Sequence, residues 1–282
     1  FWLKVCPGSC SWQSLLRMRT WQAGRPGRHG HSTKTLPLEA LSEVPRRVPQ
    51  SLGRSLLGGR QLRVQDDVLS PKQVGPLLAA IKASPYFGKY EEKHEFYKDT
   101  LGFSGKFRSS HRSRVEQHLP YLKPVFAATL RPECNCFYFT VLFARPDGQS
   151  YHTDNAFETV DSGYRPSDLV SLVYLNASPA MKGGELVVLK VSSPEVKDRI
   201  RRRRELPGQI LEKVRPAAGR LVEFEGRLLH GIYPFSSPEP RVSIVIEQVK
   251  LPARHYRQQA AFSIYCQRTG KDVRPASKGA NE

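Results

Sequence analysis

Cysteine is scarce in this chain. Five cysteines (Cys6, Cys10, Cys134, Cys136, Cys266) are spread over 282 residues, too few and too scattered for a disulfide framework. Neither Cys6-x3-Cys10 nor Cys134-x-Cys136 has a second half that would complete a zinc site. A reducing compartment is the default, and with it an intracellular protein, cytoplasmic or nuclear. No apolar run approaches 18 residues, so no transmembrane helix is expected. There is no phosphate loop of the form G-x-x-x-x-G-K-[ST] and no internal repeat. What remains is ordinary: 39% hydrophobic and 25% charged residues, the make-up of a globular protein long enough to bury a core.

Acidic residues are also unevenly missing. The chain carries 44 Lys/Arg against 26 Asp/Glu, a net charge of +18, yet no acid precedes Glu39. Residues 1–65 hold eleven Lys/Arg against Glu39 and Glu43, which is half the net charge in under a quarter of the length. This stretch is rich in Gly, Ser, Arg and Pro, as in residues 23–31 (AGRPGRHGH), and reads as a disordered basic leader. Its composition also fits an organellar transit segment, mitochondrial or plastid, whereas no apolar stretch with a small-residue cleavage site marks a secretory signal. A second basic run, residues 197–204 (KDRIRRRR), reads as a solvated loop or as a docking patch for an acidic partner. It lacks the interleaved aromatics of single-strand binders.

Ordered structure is expected over 66–265, with a flexible tail at 266–282. Ser70-Pro71-Lys72-Gln73 looks like a helix start, with Ser as cap, Pro at the first helical position and Gln three residues after the cap. Val74, Leu77, Leu78 and Ile81 follow at helical spacing. A second helical stretch, 110–130, is interrupted near Pro120 and Pro124. After Pro132 the period changes to that of strands: 136–144 (CFYFTVLFA), 151–154, 169–176 (LVSLVYLN), 185–190, 220–225, 230–235 and 241–249 (RVSIVIEQV), separated by turn residues such as Lys182-Gly183-Gly184. Seven short strands without crossover helices predict a mainly β domain with flanking helices, a sandwich or barrel. Residues 252–265 look like a short final helix.

His152 and Asp154 lie two apart on an expected strand, so both project from one face. With 8 His and 26 acids in 282 residues, about 0.7 His-x-acid pairs arise by chance, so the pair alone says nothing. Its company matters more. His230 opens a later strand and would complete two imidazoles and a carboxylate, an arrangement that leaves three open positions on a non-haem Fe(II) ion. Arg241 and Ser243 share a face of the last long strand. A guanidinium on a buried face needs an anion, and a bound dicarboxylate would supply one through paired hydrogen bonds.

In this order the segments His152-Thr153-Asp154-Asn155, Val173-Tyr174-Leu175-Asn176, Gly183-Gly184-Glu185-Leu186, His230-Gly231 and Arg241-Val242-Ser243 resemble the 2-oxoglutarate- and Fe(II)-dependent dioxygenases, specifically the prolyl 4-hydroxylase-like branch. The resemblance covers about 120 residues, with a metal-binding core at 132–250. It implies a double-stranded β-helix, or jelly roll. It further implies Fe(II) on His152, Asp154 and His230, and 2-oxoglutarate as co-substrate with its distal carboxylate on Arg241, aided by Tyr174 and Ser243. O2 would be the oxidant and L-ascorbate the reductant that keeps the iron ferrous. Two positions depart from the branch: Ala144 stands where a tyrosine is usual, and Arg241 replaces the lysine of collagen-type enzymes. The implied activity is hydroxylation of a protein or peptide substrate at a prolyl or other residue. Alternatives are the same chemistry on a nucleic acid and a non-enzymatic jelly-roll binding module. Residues 156–167, just after the dyad, read as a mobile lid or a passive connection. His94, His111, His118 and His255 are taken as surface or capping residues, and Tyr86-Phe87 and Phe96-Tyr97 as packing. Oligomeric state is not legible.

Overall fold

A computed structural model describes residues 56–90, 100–159, 163–192, 209–266 and 271–273. Residues 1–55 of the expected 1–65 leader, the 197–204 run, His94 and Phe96-Tyr97 lie outside the described residues; within the rest of that leader Leu62–Gln65 forms a strand, held by its ladder to Leu221–Phe224.

Eight strands are divided between two antiparallel sheets. In the larger sheet Leu221–Phe224, Leu169–Asn176, Arg241–Val249 and Cys136–Ala144 lie side by side; in the smaller, Ile210–Val214, Leu186–Ser192, Leu228–Ile232 and Gln149–His152 do. This arrangement is the expected jelly roll. The larger sheet is widened by Leu62–Gln65 on one edge. Leu101–Arg108, Phe262–Cys266 and Lys271–Val273 extend the other, and Gly88–Lys89 pairs with Leu101–Arg108.

Strand alternation sorts the core. Phe137, Phe139, Val141 and Phe143 face one way and join Phe103, Phe107, Ile244 and Ile246 in a cluster with Val74, Leu77, Ile81, Val115 and Phe126 of the helices. Each such side chain, when fully buried, contributes roughly 1.5–3 kcal/mol. The opposite face of the same sheet, with Val170, Leu172, Val222 and Phe224, packs on Leu186, Val188, Val214 and Leu228 of the smaller sheet. The helices therefore close one side of the larger sheet and leave the other to the jelly-roll interior.

The helix Pro71–Ala83 begins as expected, with the Ser70 N–H donating to Gln73 Oε1 at 2.9 Å. The 110–130 stretch splits into Arg112–His118 and Lys123–Thr129 around a short turn at Pro120–Leu122, because a proline cannot donate into the preceding turn. Gly183 and Gly184 both hold φ of +79°, and a Cβ on Gly183 would meet the Pro234 carbonyl oxygen at 2.2 Å. The turn before Leu186–Ser192 thus depends on glycine.

Several elements differ from expectation. The helix anticipated over 252–265 stops at Gln258, and Phe262–Cys266 is a strand paired with Leu101–Arg108. Phe262 and Ile264 alternate into the helix-side cluster, a period-2 signal that overrides the short helical one. The strand Leu101–Arg108 and the small hairpin Phe157–Thr159/Gly163–Arg165 were not anticipated. No helix among the described residues is long and apolar enough to cross a membrane.

One buried acid braces the far side of the sheet. Glu223 is fully buried and accepts hydrogen bonds from Arg63 Nε at 2.9 Å, Arg131 Nη2 at 2.6 Å and Ser171 Oγ at 3.2 Å. It joins the edge strand, the end of a helix and the sheet centre. Glu223→Ala leaves two guanidinium groups without their shared anion. It should lower unfolding free energy by about 3 kcal/mol in chemical denaturation; an unchanged midpoint would show the brace to be dispensable.

Candidate metal centre

His152 ends the strand Gln149–His152, and the register places it directly opposite His230 of Leu228–Ile232. Directly opposed side chains of an antiparallel pair share one face, and the two rings stand 4.4 Å apart between centroids. Asp154 lies two residues past the strand end rather than on the strand. Its carboxylate nevertheless turns in between the rings, with Oδ1 3.5 Å from His152 Nε2 and Oδ2 3.4 Å from His230 Nε2. All three ligand atoms fall within 4.8 Å of one another, and no other such group of His, Cys, Asp or Glu occurs among the described residues.

Both rings are oriented for ligation. His152 Nδ1 lies 2.8 Å from the Ser150 carbonyl oxygen, and His230 Nδ1 lies 3.2 Å from that of Leu228. Each backbone carbonyl calls for a proton on Nδ1 and turns Nε2 toward Asp154, which is how protein metal sites orient their histidines. Asp154 Oδ2 is buried and has no hydrogen bond. Without a cation the carboxylate leans on the imidazoles. Burial works to raise the Asp154 pKa, but the facing His230 and His152 hold it well below the usual carboxylate range. Burial likewise opposes a charged His152, and the hydrogen bond and charge of Asp154 outweigh it and raise that pKa. Two Nε2 atoms and a carboxylate with an orphaned buried oxygen form a donor set that fits a divalent transition metal with open positions.

The pocket around the triad is lined by Leu142, Gln149, Leu172, Phe224, Ile232 and Ser243, among others. It is mostly apolar. Ser243 Oγ lines it and is buried without a hydrogen-bond partner. Arg241 stands on the same strand face two residues earlier and is 0% exposed. Its Nη2 donates to the Tyr174 hydroxyl at 3.2 Å, and its guanidinium carbon lies 4.9 Å from the centre of the Tyr174 ring. Its Nε and Nη1 have no partner. Tyr174 accepts from Arg241, so its own hydroxyl proton stays available to an incoming anion. The structure thus groups the triad with Ser243, and Arg241 with Tyr174.

Other residues of the site were not found from the sequence. Phe224 packs its ring 4.7 Å from that of His230. Glu247, buried on the same strand face as Arg241 and Ser243, accepts from the Ala156 N–H at 2.9 Å and the Ser167 hydroxyl at 2.8 Å. Burial, then the nearby Asp154 charge, push its carboxyl up to about 8. An acid in the interior of a strand expected to be buried was the available signal. Among the described residues the other histidines do not join the triad: His118 bonds the Tyr86 hydroxyl at 3.1 Å, and His111 contacts Ser110 at 3.0 Å. Burial pushes the Cys134 and Cys136 thiols up to about 12, so neither offers a thiolate at neutral pH.

No protein-family model matches the chain, and no curated protein matches it. Among solved structures it is similar to a prolyl-4-hydroxylase from Pseudomonas putida, at 16% identity over 70% of this chain and 96% of that one, with a TM-score of 0.43. It is also similar to a prolyl hydroxylase from Trichoplax adhaerens in complex with a hypoxia inducible factor peptide fragment, at 13% identity over 72% and 89% of the two chains, with a TM-score of 0.42. A third is HygX from Streptomyces hygroscopicus with nickel, 2-oxoglutarate and hygromycin B bound, at 12% identity over 67% and 83%, with a TM-score of 0.40.

Proposed function

We propose that the chain is a 2-oxoglutarate- and Fe(II)-dependent dioxygenase of the prolyl 4-hydroxylase-like kind, acting on a residue of a protein substrate. One observation carries this reading. A His-Asp-His donor set shares its pocket with Ser243, and the same strand continues to a fully buried Arg241 with two unsatisfied N–H donors.

His152, Asp154 and His230 would hold the iron, their Nε2 and carboxylate atoms already converging. Bound iron supplies the oxygen activation that couples decarboxylation of 2-oxoglutarate, to succinate and CO2, with oxidation of a substrate C–H bond. The chain's own residues do the positioning. Arg241 receives the distal carboxylate on its free N–H groups, where a charge-assisted pair replaces an uncompensated buried cation. Tyr174 and Ser243 would each donate a hydroxyl hydrogen bond to it. Leu142, Val170, Leu172 and Phe224 keep bulk water from the pocket, which strengthens these interactions. L-ascorbate belongs to the same reading as the reductant of idle iron.

Purified protein given Fe(II), 2-oxoglutarate and O2 should release succinate, at least in slow uncoupled turnover. No release above an Asp154→Ala control, with iron confirmed bound, overturns the assignment. Prolyl peptides are the first substrates to test, with mass spectrometry for a gain of one oxygen atom. The +18 net charge favours a second reading, in which a nucleic acid is the substrate. Binding to a nucleic acid should then fall steeply with salt; a flat dependence removes it.

A further inference from the structure

Asp154 sits on irregular chain, so something must hold it where the two rings converge. The chain continues past Asp154 to Ala156, and Ser167 lies close by, so that these described residues are tied together. The Ser167 N–H donates to the Asp154 carbonyl oxygen at 3.1 Å. A single oxygen, Glu247 Oε2, then accepts from both: the Ala156 N–H at 2.9 Å and the Ser167 hydroxyl at 2.8 Å. Glu247 is itself seated in the sheet. It lies in the interior of the larger sheet, flanked in register by Tyr138 and Val170, and is only 5% exposed. The residue after Ser167, Asp168, is fixed to the same strand through its N–H to the Gln248 carbonyl oxygen at 2.9 Å.

We propose that Glu247 is a positioning residue that ties Ala156 to Ser167 and thereby sets the place of Asp154 in the metal centre. The inference rests on the metal-centre reading above and extends it to a residue that touches neither metal nor co-substrate. A buried carboxylic acid on a sheet interior is costly unless its partners need it. Here those partners are the backbone two residues past Asp154 and the residue that bonds Asp154's own carbonyl. The same strand carries Arg241 and Ser243, so one rigid element positions both the metal-side carboxylate and the diacid seat. Groups that orient a ligand in this way typically change metal affinity by about 10–100-fold when removed.

Mn(II) binding to the purified full chain tests this, together with the absorption spectrum of the Co(II)-loaded protein. Glu247→Ala should weaken Mn(II) binding by about 10–100-fold and alter the cobalt bands. Glu247→Gln keeps an oxygen that can accept both bonds and should stay within about 3-fold of wild type. Ser167→Ala, which removes one of the two ties and spares the acid, should fall between them and serves if Glu247→Ala fails to fold. A Glu247→Ala or Ser167→Ala protein that melts earlier yet binds Mn(II) as wild type, with unchanged cobalt bands, would show a role in stability alone and overturn the inference. So would a Gln variant as weak as the Ala variant. Failure of the wild type itself to bind Mn(II) is a different result, and it overturns the metal-centre reading beneath.

Discussion

Asp154→Ala is expected to weaken Mn(II) or Fe(II) binding by more than about 100-fold, beyond the range typical of groups that merely orient a ligand, and to abolish succinate release. The carboxylate is the single anionic donor of the site. It is only 8% exposed, and its Oδ2 finds no hydrogen bond from the protein. Removing it leaves two neutral imidazoles, which hold a divalent ion far less well than two imidazoles and a charge. Asp154→Asn separates charge from shape, because it keeps the volume between the rings and lacks the anion. Calorimetric titration with Mn(II) should show both variants impaired. An Asn variant with wild-type affinity would mean that the charge is unimportant and that the three side chains are an ordinary hydrogen-bonded cluster.

The second large effect concerns Arg241. Arg241→Met should weaken 2-oxoglutarate binding by about 3 kcal/mol, roughly 150-fold, while leaving Mn(II) affinity near that of wild type. Its effect on the empty protein should have the opposite sign. Nε and Nη1 of Arg241 are buried without partners, and an uncompensated buried cation burdens the fold until an anion arrives. The Met variant without ligand should therefore melt no earlier than wild type. Added 2-oxoglutarate should raise the melting temperature of wild type by mass action and leave the variant unmoved. A variant that melts earlier and still binds 2-oxoglutarate normally would reassign Arg241 to the fold, through its contact with Tyr174, and remove the diacid seat from the proposal.

These two residues differ in how visible they were beforehand. Arg241 could be singled out because it opens a strand, 241–249, expected to be buried, where a cation is out of place. Asp154 was singled out by a strand argument that the structure corrects: the strand stops at His152, and the chain just past it, not the pleat, delivers the carboxylate. The hairpin 157–165 shows why the distinction escaped notice, since it is short, polar and without a sustained period. The strand Phe262–Cys266 escaped because its partner, Leu101–Arg108, lies far away in the chain. A local window cannot weigh a hydrogen-bonded ladder formed with a distant segment.

The amino-acid order by itself determined the class of the fold and singled out His152, Asp154, His230 and Arg241 as candidates, because side-chain alternation and the misfit of polar groups in apolar segments are local properties. Only the tertiary structure decided that His230 stands across from His152, that Asp154 follows the strand rather than lying on it, and that Glu247 accepts from both Ala156 and Ser167. Those outcomes depend on register between strands distant in the chain, and register is settled by which buried surfaces and backbone donors find partners once the two sheets close on each other.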